Sequence, residues 1–212
     1  MLGVHESTIR EDLNAGNPAE QPDASEEDPV EDAGNPAVEG NPFEELYDVL
    51  VIDPPWPMKK IERNVRLVQH EFAYSVMSVE EIIAWDGATR RAAQDCHVFL
   101  WTTYKFFFDA KACLDSWGFK YYYFFTWHKP GGFQVTGQAQ GNGEYCLYAR
   151  KGSPEFIDTK AFPMVFYASR GEHSEKPEEF YAMLRRVTKG RRLDMFNRRV
   201  IEGFDGWGKE TL

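Results

Sequence analysis

From residue 46 onward the sequence predicts an α/β fold, a sheet with helices on both of its faces. Two observations carry the prediction. Short, continuous apolar runs of the kind found in buried strands alternate with helix-like stretches as far as the C-terminus, and nothing comparable precedes residue 46. The 212 residues suffice for one domain with a full core plus an extra segment.

The net charge of -10 divides unevenly. Residues 1–48 carry 14 acidic and 1 basic residue, a balance of -13, whereas residues 49–212 carry 20 acidic and 23 basic, a balance of +3. The acidity therefore belongs to an appendage, and the part with a core is mildly basic, compatible with a polyanionic partner. Residues 1–13 are helix-prone and look like the second half of a helix-turn-helix, with Gly3-Val4 and Thr8-Ile9-Arg10-Glu11-Asp12-Leu13 in turn and recognition-helix order. The first half of that motif is missing. Residues 14–45 repeat Asn-Pro three times among many acids and few large apolar side chains, which predicts an extended, disordered linker.

The elements of the domain at 46–212 follow in order. Tyr47–Ile52 is an apolar run ending in a proline turn, as a buried strand does. Residues 78–93 read as a helix, opened by Ser78 and Glu81 in the reciprocal capping arrangement. Residues 96–101 form a strand, and Thr103 then caps a helix to about Trp117. Residues 119–127 make an aromatic strand belonging to the core, 144–150 another, and 163–168 one more. Residues 176–187 read as a helix with Pro177 near its first turn, and 192–196 as the last strand before a glycine-rich end at 203–208. Ligands in such sheets sit at the carboxyl ends of strands, where the proline turn and the glycine segment both fall. Cys96 and Cys146 lie in apolar runs and read as buried thiols. The three cysteines and five histidines show no metal spacing, so no metal is expected. No signal peptide or long apolar span appears, and a cytoplasmic protein is expected.

The turn Asp53-Pro54-Pro55-Trp56 carries the chemistry. A carboxylate and a backbone carbonyl can each accept one hydrogen from an exocyclic amine, which leaves the nitrogen lone pair directed outward. Two prolines fix the backbone φ and so aim the carbonyl without further ordering cost. Trp56 offers an aromatic face for an extruded base. Charge developing on the nitrogen during methylation is stabilised by the same carboxylate and carbonyl.

The domain resembles the DPPW-type N6-adenine methyltransferases, a family that includes the catalytic subunit of the mRNA adenosine methyltransferase and bacterial and prophage DNA adenine methyltransferases. The likeness spans about residues 46–212. Besides Asp53-Pro54-Pro55-Trp56-Pro57-Met58-Lys59-Lys60 it includes Tyr74-x-x-Met77-Ser78, Phe99-Leu100-Trp101-Thr102, Trp127-His128-Lys129-Pro130-Gly131-Gly132-Phe133, His173-Ser174-Glu175-Lys176-Pro177 and Arg192-Leu193-Asp194-Met195-Phe196-Asn197-Arg198-Arg199.

The resemblance implies a Rossmann-like class I fold with a mixed, mostly parallel sheet in permuted, beta-class motif order. It also implies S-adenosyl-L-methionine as cofactor and methyl transfer by in-line attack. Asp53 would meet both the target amine and the methionine end of the cofactor. Tyr74, Asn142 and Glu144 would face the acceptor base. Ser174 and Lys176 would lie near the cofactor, Phe196 and Arg198 would hold its adenosine, and Lys209 and Glu210 its ribose. Lys209 stands where the family usually has asparagine, and a lysine can donate to a hydroxyl but not accept. Lys59, Lys60, Arg63 and Arg66 follow the turn in a stretch of little periodicity. They read as a loop closing on phosphates, with a second basic cluster at Arg185, Arg186, Lys189, Arg191 and Arg192. Likeness to the bacterial and prophage members favours DNA as substrate. The same reaction on RNA, or a non-catalytic DNA-binding subunit, are the alternatives.

Overall fold

The computed structural model describes residues 45–58, 76–134, 136–171, 175–196 and 199–207. The expected helix-turn-helix-like segment and all but the last residue of the linker lie outside these. The element order is β1 (Tyr47–Ile52), α1 (Val79–Ala84), α2 (Gly87–Arg91), β2 (Ala92–Thr102), a 3-10 turn (Tyr104–Phe106), α3 (Phe107–Ser116), β3 (Lys120–Gln134), β4 (Gln140–Lys151), β5 (Val165–Tyr167), α4 (Glu178–Val187), β6 (Arg192–Met195) and β7 (Asp205–Trp207).

The seven strands form one sheet in the order β5-β3-β4-β2-β1-β6-β7. β1 pairs in parallel with β2 and β6, β6 with β7, and β3 with β5; β4 runs antiparallel to both its neighbours. The sheet is thus mixed and mostly parallel, as expected. Successive side chains of a strand point to opposite faces, and the two faces bury separate cores. Leu50, Ile52, Val98, Leu100, Leu147 and Met195 pack with Ile82, Ala88, Cys113 and Leu114 of α1, α2 and α3. Val49, Val51, Phe99, Trp101, Cys146 and Tyr148 pack with Phe180, Tyr181, Leu184 and Val187 of α4. Their spacing puts the α4 residues on one stripe of a helix whose other face stays polar. All three cysteines are free and buried.

Several expectations are corrected. The helix read over 78–93 is two short helices followed by the first residues of β2. Its start is as expected: the Ser78 hydroxyl accepts from the Glu81 N–H at 3.1 Å, and the Ser78 N–H donates to the Glu81 carboxylate at 2.7 Å. It ends early because Trp85 turns extended (φ -72°, ψ 127°) and sends its indole into a cluster with Trp117, Phe196 and Trp207. That indole lies over Gly87, where an added Cβ would fall 2.3 Å from a ring carbon. Tertiary burial of one large ring overrides helical continuity here. Thr103 precedes the 3-10 turn but makes no side-chain cap. Strands β2, β3 and β4 are each longer than expected, and β7 lies in the glycine-rich end.

Candidate active site

The carboxyl ends of β1 and β6 lie side by side, because Ile52 pairs with Met195 and the Asp53 N–H continues the ladder to the Met195 carbonyl at 3.3 Å. β4 is antiparallel, so its beginning reaches the same edge: Trp101 of β2 pairs with Cys146, and Trp127 of β3 with Glu144. Lys176 arrives from the segment leading into α4. Three distant stretches of sequence therefore converge on one rim.

The proline turn is held from several sides. The Trp56 N–H donates to the Pro54 carbonyl at 2.8 Å and the Met58 N–H to the Trp56 carbonyl at 2.7 Å, two consecutive three-residue turns. The Pro55 carbonyl accepts from the Met77 N–H at 3.1 Å, tying the turn to the approach of α1. Since a carbonyl oxygen has two lone pairs, Pro54 retains one for a further donor. Trp56 corrects the sequence reading. It is only 7% exposed, its ring stacks on Phe106 at 5.4 Å, and its indole N–H donates to the Trp101 carbonyl at 2.9 Å. Trp56 is a buried prop beneath the turn, and the face expected to meet a base lies in the core.

Along the rim, charges alternate. The Lys176 ammonium lies 2.7 Å from the Asp53 carboxylate and 3.4 Å from that of Glu144, and Glu144 is also paired with Lys129. Burial works against the Lys176 charge, but Asp53 and Glu144 more than offset it and hold the ammonium above the ordinary lysine range. Burial would raise the Glu144 carboxyl, yet Lys176 and then Lys129 outweigh it and keep it below the ordinary range. Lys129, whose one carboxylate partner among the described residues is Glu144, is lowered by burial. The ammonium groups also lie over indole faces, Lys176 at 5.3 Å from Trp101 and Lys129 at 4.6 Å from Trp127. Arg199 donates to the Lys176 carbonyl at 3.0 Å and so fastens the lysine's own backbone.

Around this row stand the other expected residues. Asn142 lies 3.3 Å from the His128 ring nitrogen, two positions along β4 from Glu144. Phe196 follows β6 with φ +64°, a left-handed conformation that costs a non-glycine residue about 1–2 kcal/mol and concentrates at functional sites. Its N–H donates to the Trp207 carbonyl at 2.6 Å, and its ring sits 4.9 Å from Trp85 and 5.2 Å from Trp207. Lys59, Lys60, Arg63, Arg66, Tyr74, Ser174, Arg198, Lys209 and Glu210 lie outside the described residues.

The second basic cluster is a further correction. It surrounds the start of β6, at the opposite end of the strand from Asp53, and its arginines have partners within the protein. Arg185 pairs with Glu178, Arg186 with Asp158, and Arg191 with Glu45 and Asp205, while Arg192 donates to the Thr188 carbonyl. Two residues that had no assigned role join the site. One is Lys129. The other is Asp194, 2% exposed, which accepts from the Tyr181 hydroxyl at 2.7 Å. Burial, opposed by that hydrogen bond and reinforced by Asp53, pushes the Asp194 carboxyl up to about 7. A charge inside an otherwise apolar strand (Leu193-Asp194-Met195) was the available signal for it.

A family profile described as MT-A70 matches residues 47–210. The Type II methyltransferase M.MunI of Mycoplasma sp is 27% identical over 203 residues, covering 80% of this chain and 83% of that protein. The N(6)-adenosine-methyltransferase MT-A70-like of Arabidopsis thaliana is 30% identical over 172 residues, which is 76% of this chain and 23% of that protein. The N(6)-adenosine-methyltransferase catalytic subunit METTL3 of Homo sapiens is 26% identical over 160 residues, 72% of this chain and 26% of that protein. The chain thus spans most of the length of the first relative and about a quarter of the other two.

Proposed function

The chain belongs to the MT-A70 family of N6-adenine methyltransferases, and from that premise we propose that it methylates the exocyclic amine of adenine in DNA, using S-adenosyl-L-methionine. The observation that carries the reading is the Asp53–Lys176–Glu144 row directly at the proline turn. The adenine amine is a poor nucleophile because its lone pair is delocalised into the ring. Asp53 and the second lone pair of the Pro54 carbonyl accept its two hydrogens and turn that lone pair outward. Lys176 holds both flanking carboxylates in place and keeps Glu144 ionised, so they stabilise the positive charge that grows on nitrogen without reorganising. Glu144 and Asn142 face the base, with Tyr74 packing on it.

The residues present suit the cofactor. The zwitterionic methionine end of S-adenosyl-L-methionine needs an anion and a cation side by side, and Asp53 and Lys176 supply both. Phe196, with Ser174, Arg198, Lys209 and Glu210, holds the remainder. When bound, the cofactor supplies a methyl group on a sulfonium sulfur, the electrophile for in-line attack by the amine. Lys59, Lys60, Arg63 and Arg66 hold phosphates. DNA is favoured by the likeness to bacterial and prophage members and by a similarity that runs over 83% of the type II methyltransferase. The N(6)-adenosine-methyltransferase relatives support the same reaction on RNA as the second reading. Among the described residues no helix is long and apolar enough to cross a membrane, and a cytoplasmic site of action is part of the proposal.

The test is transfer of label from the cofactor to duplex DNA containing adenine, abolished by Asp53→Ala. Labelling of RNA alone would sink the DNA assignment, and labelling of neither would sink the activity.

A further inference from the structure

Strands β3 and β4 run well beyond their neighbours. β2 accompanies β4 only from Tyr145 onward, and β5 accompanies β3 only at Thr126–His128. Beyond His128 and Gly143 the register shifts across 129–132, after which the two strands pair with each other again (Phe133 with Gly141, Gln134 with Gln140) and, among the described residues, with no other strand. The result is a two-stranded ribbon projecting from the rim that carries Asp53, with Glu144 at its base.

Its composition is unusual for an exposed hairpin. In a chain that is 27% charged, residues 130–143 contain no charged side chain, and they include Gln134, Gln138, Gln140 and Asn142 among five glycines. Gln134 and residues 136–141 are exposed. Side chains two apart share a face of a strand, so Gln140, Asn142 and Glu144 form one row, and Gln134 stands on the same face opposite Gln140. A row of amides thus leads directly to the carboxylate at the reacting centre.

We infer that this ribbon enters the major groove of duplex DNA beside the target adenine and reads flanking bases through Gln134 and Gln140. The inference rests on the DNA reading proposed above and extends it to strandedness and recognition. The major groove admits a two-stranded ribbon, and amide side chains match the paired donor and acceptor of an adenine edge. Absence of carboxylates removes repulsion from the phosphates on either wall, and glycines allow close backbone approach. At about 3.4 Å per residue, Gln140 stands roughly 14 Å along the strand from Glu144, which is about four base-pair steps.

The experiment maps methylated adenines in the DNA of cells expressing the full chain, the double variant Gln134→Ala/Gln140→Ala, or Gln140→Glu. The double variant is expected to lose about tenfold discrimination at one or two base pairs within about four of the methylated adenine, while cofactor affinity by calorimetry stays within twofold. Gln140→Glu keeps the side-chain shape and removes the donor, so preference at that position should shift toward cytosine. Unchanged sequence context in both variants overturns the inference alone. A change of oligomeric state with context retained also overturns it, because the ribbon is then a protein interface. If the unaltered chain methylates no DNA, the DNA reading fails and the inference fails with it.

Discussion

Replacing Lys176 by methionine tests the charge row, since the chain keeps its bulk and loses only the ammonium. At 2.7 Å from Asp53 and 3.4 Å from Glu144, Coulomb's law with an effective dielectric of 20 gives roughly 6 and 5 kcal/mol of attraction before desolvation. Desolvation offsets most of this, and removing one member of a buried pair costs about 3–5 kcal/mol. The Asp53 and Glu144 side chains retain 27% and 22% exposure, so the lower end, about 3 kcal/mol, is the expected loss at pH 8.

The loss should depend on pH in a defined direction. In the native protein Glu144 lies below its ordinary 4.5, so its contribution is complete above that value and is lost only as pH falls beneath it. Without Lys176 only Lys129 still opposes burial, so the Glu144 carboxyl moves upward and protonation relieves the folded state as pH falls. The stability gap between Lys176→Met and the native chain should therefore narrow from pH 8 to pH 5. Denaturant unfolding at each pH measures the gap, and labelled-methyl transfer should show kcat/KM down by about 10²–10³-fold. A gap below 1 kcal/mol that ignores pH, with activity retained, would refute the account.

Three further outcomes are expected. Asp194→Asn should flatten the pH profile of stability: with the native carboxyl raised from 3.8 to about 7, the native chain loses stability as pH rises through that window. The ceiling on this loss is about 4 kcal/mol at 1.36 kcal/mol per pH unit, and thermal melts from pH 4 to 8 read it. Trp56→Ala should cost about 3–5 kcal/mol by urea unfolding, as a core truncation does; a stable variant that loses only affinity for substrate would restore Trp56 as a base platform. Gly87→Ala should destabilise by about 1–3 kcal/mol because the new methyl meets the Trp85 ring. A neutral or stabilised melt would mean that the indole is free to move.

What the sequence revealed follows the range of each interaction. The first strand, the Ser78–Glu81 cap and the helix after Pro177 depend on neighbours within a turn or a strand, and all could be read directly. The break at Trp85 could not, because its cause is a cluster with Trp117, Phe196 and Trp207, far along the chain. Asp53, Glu144 and Lys176 were recognised by motif, but their meeting depends on β4 running antiparallel, which no local pattern encodes. The misreading of Trp56 has the same origin: an indole looks equally suited to stacking or burial until its partner, Phe106, is known. The arginines at 185–192 read as one more phosphate-binding patch because a basic run carries no sign of which end of the sheet it occupies.

The division of each central strand between two cores has a consequence for how such a chain can change over time. Leu50 and Val51 are adjacent in sequence yet belong to separate packing problems. Substitutions on one side of the sheet reach the other only through the shared backbone, so their effects should add nearly independently. Each layer is therefore free to drift by its own compensating changes while the hydrogen-bonded ladder stays in register. The ladder, with Trp56 beneath the turn, sets where Asp53 hangs, and so descendants can exchange much of both interiors without moving it.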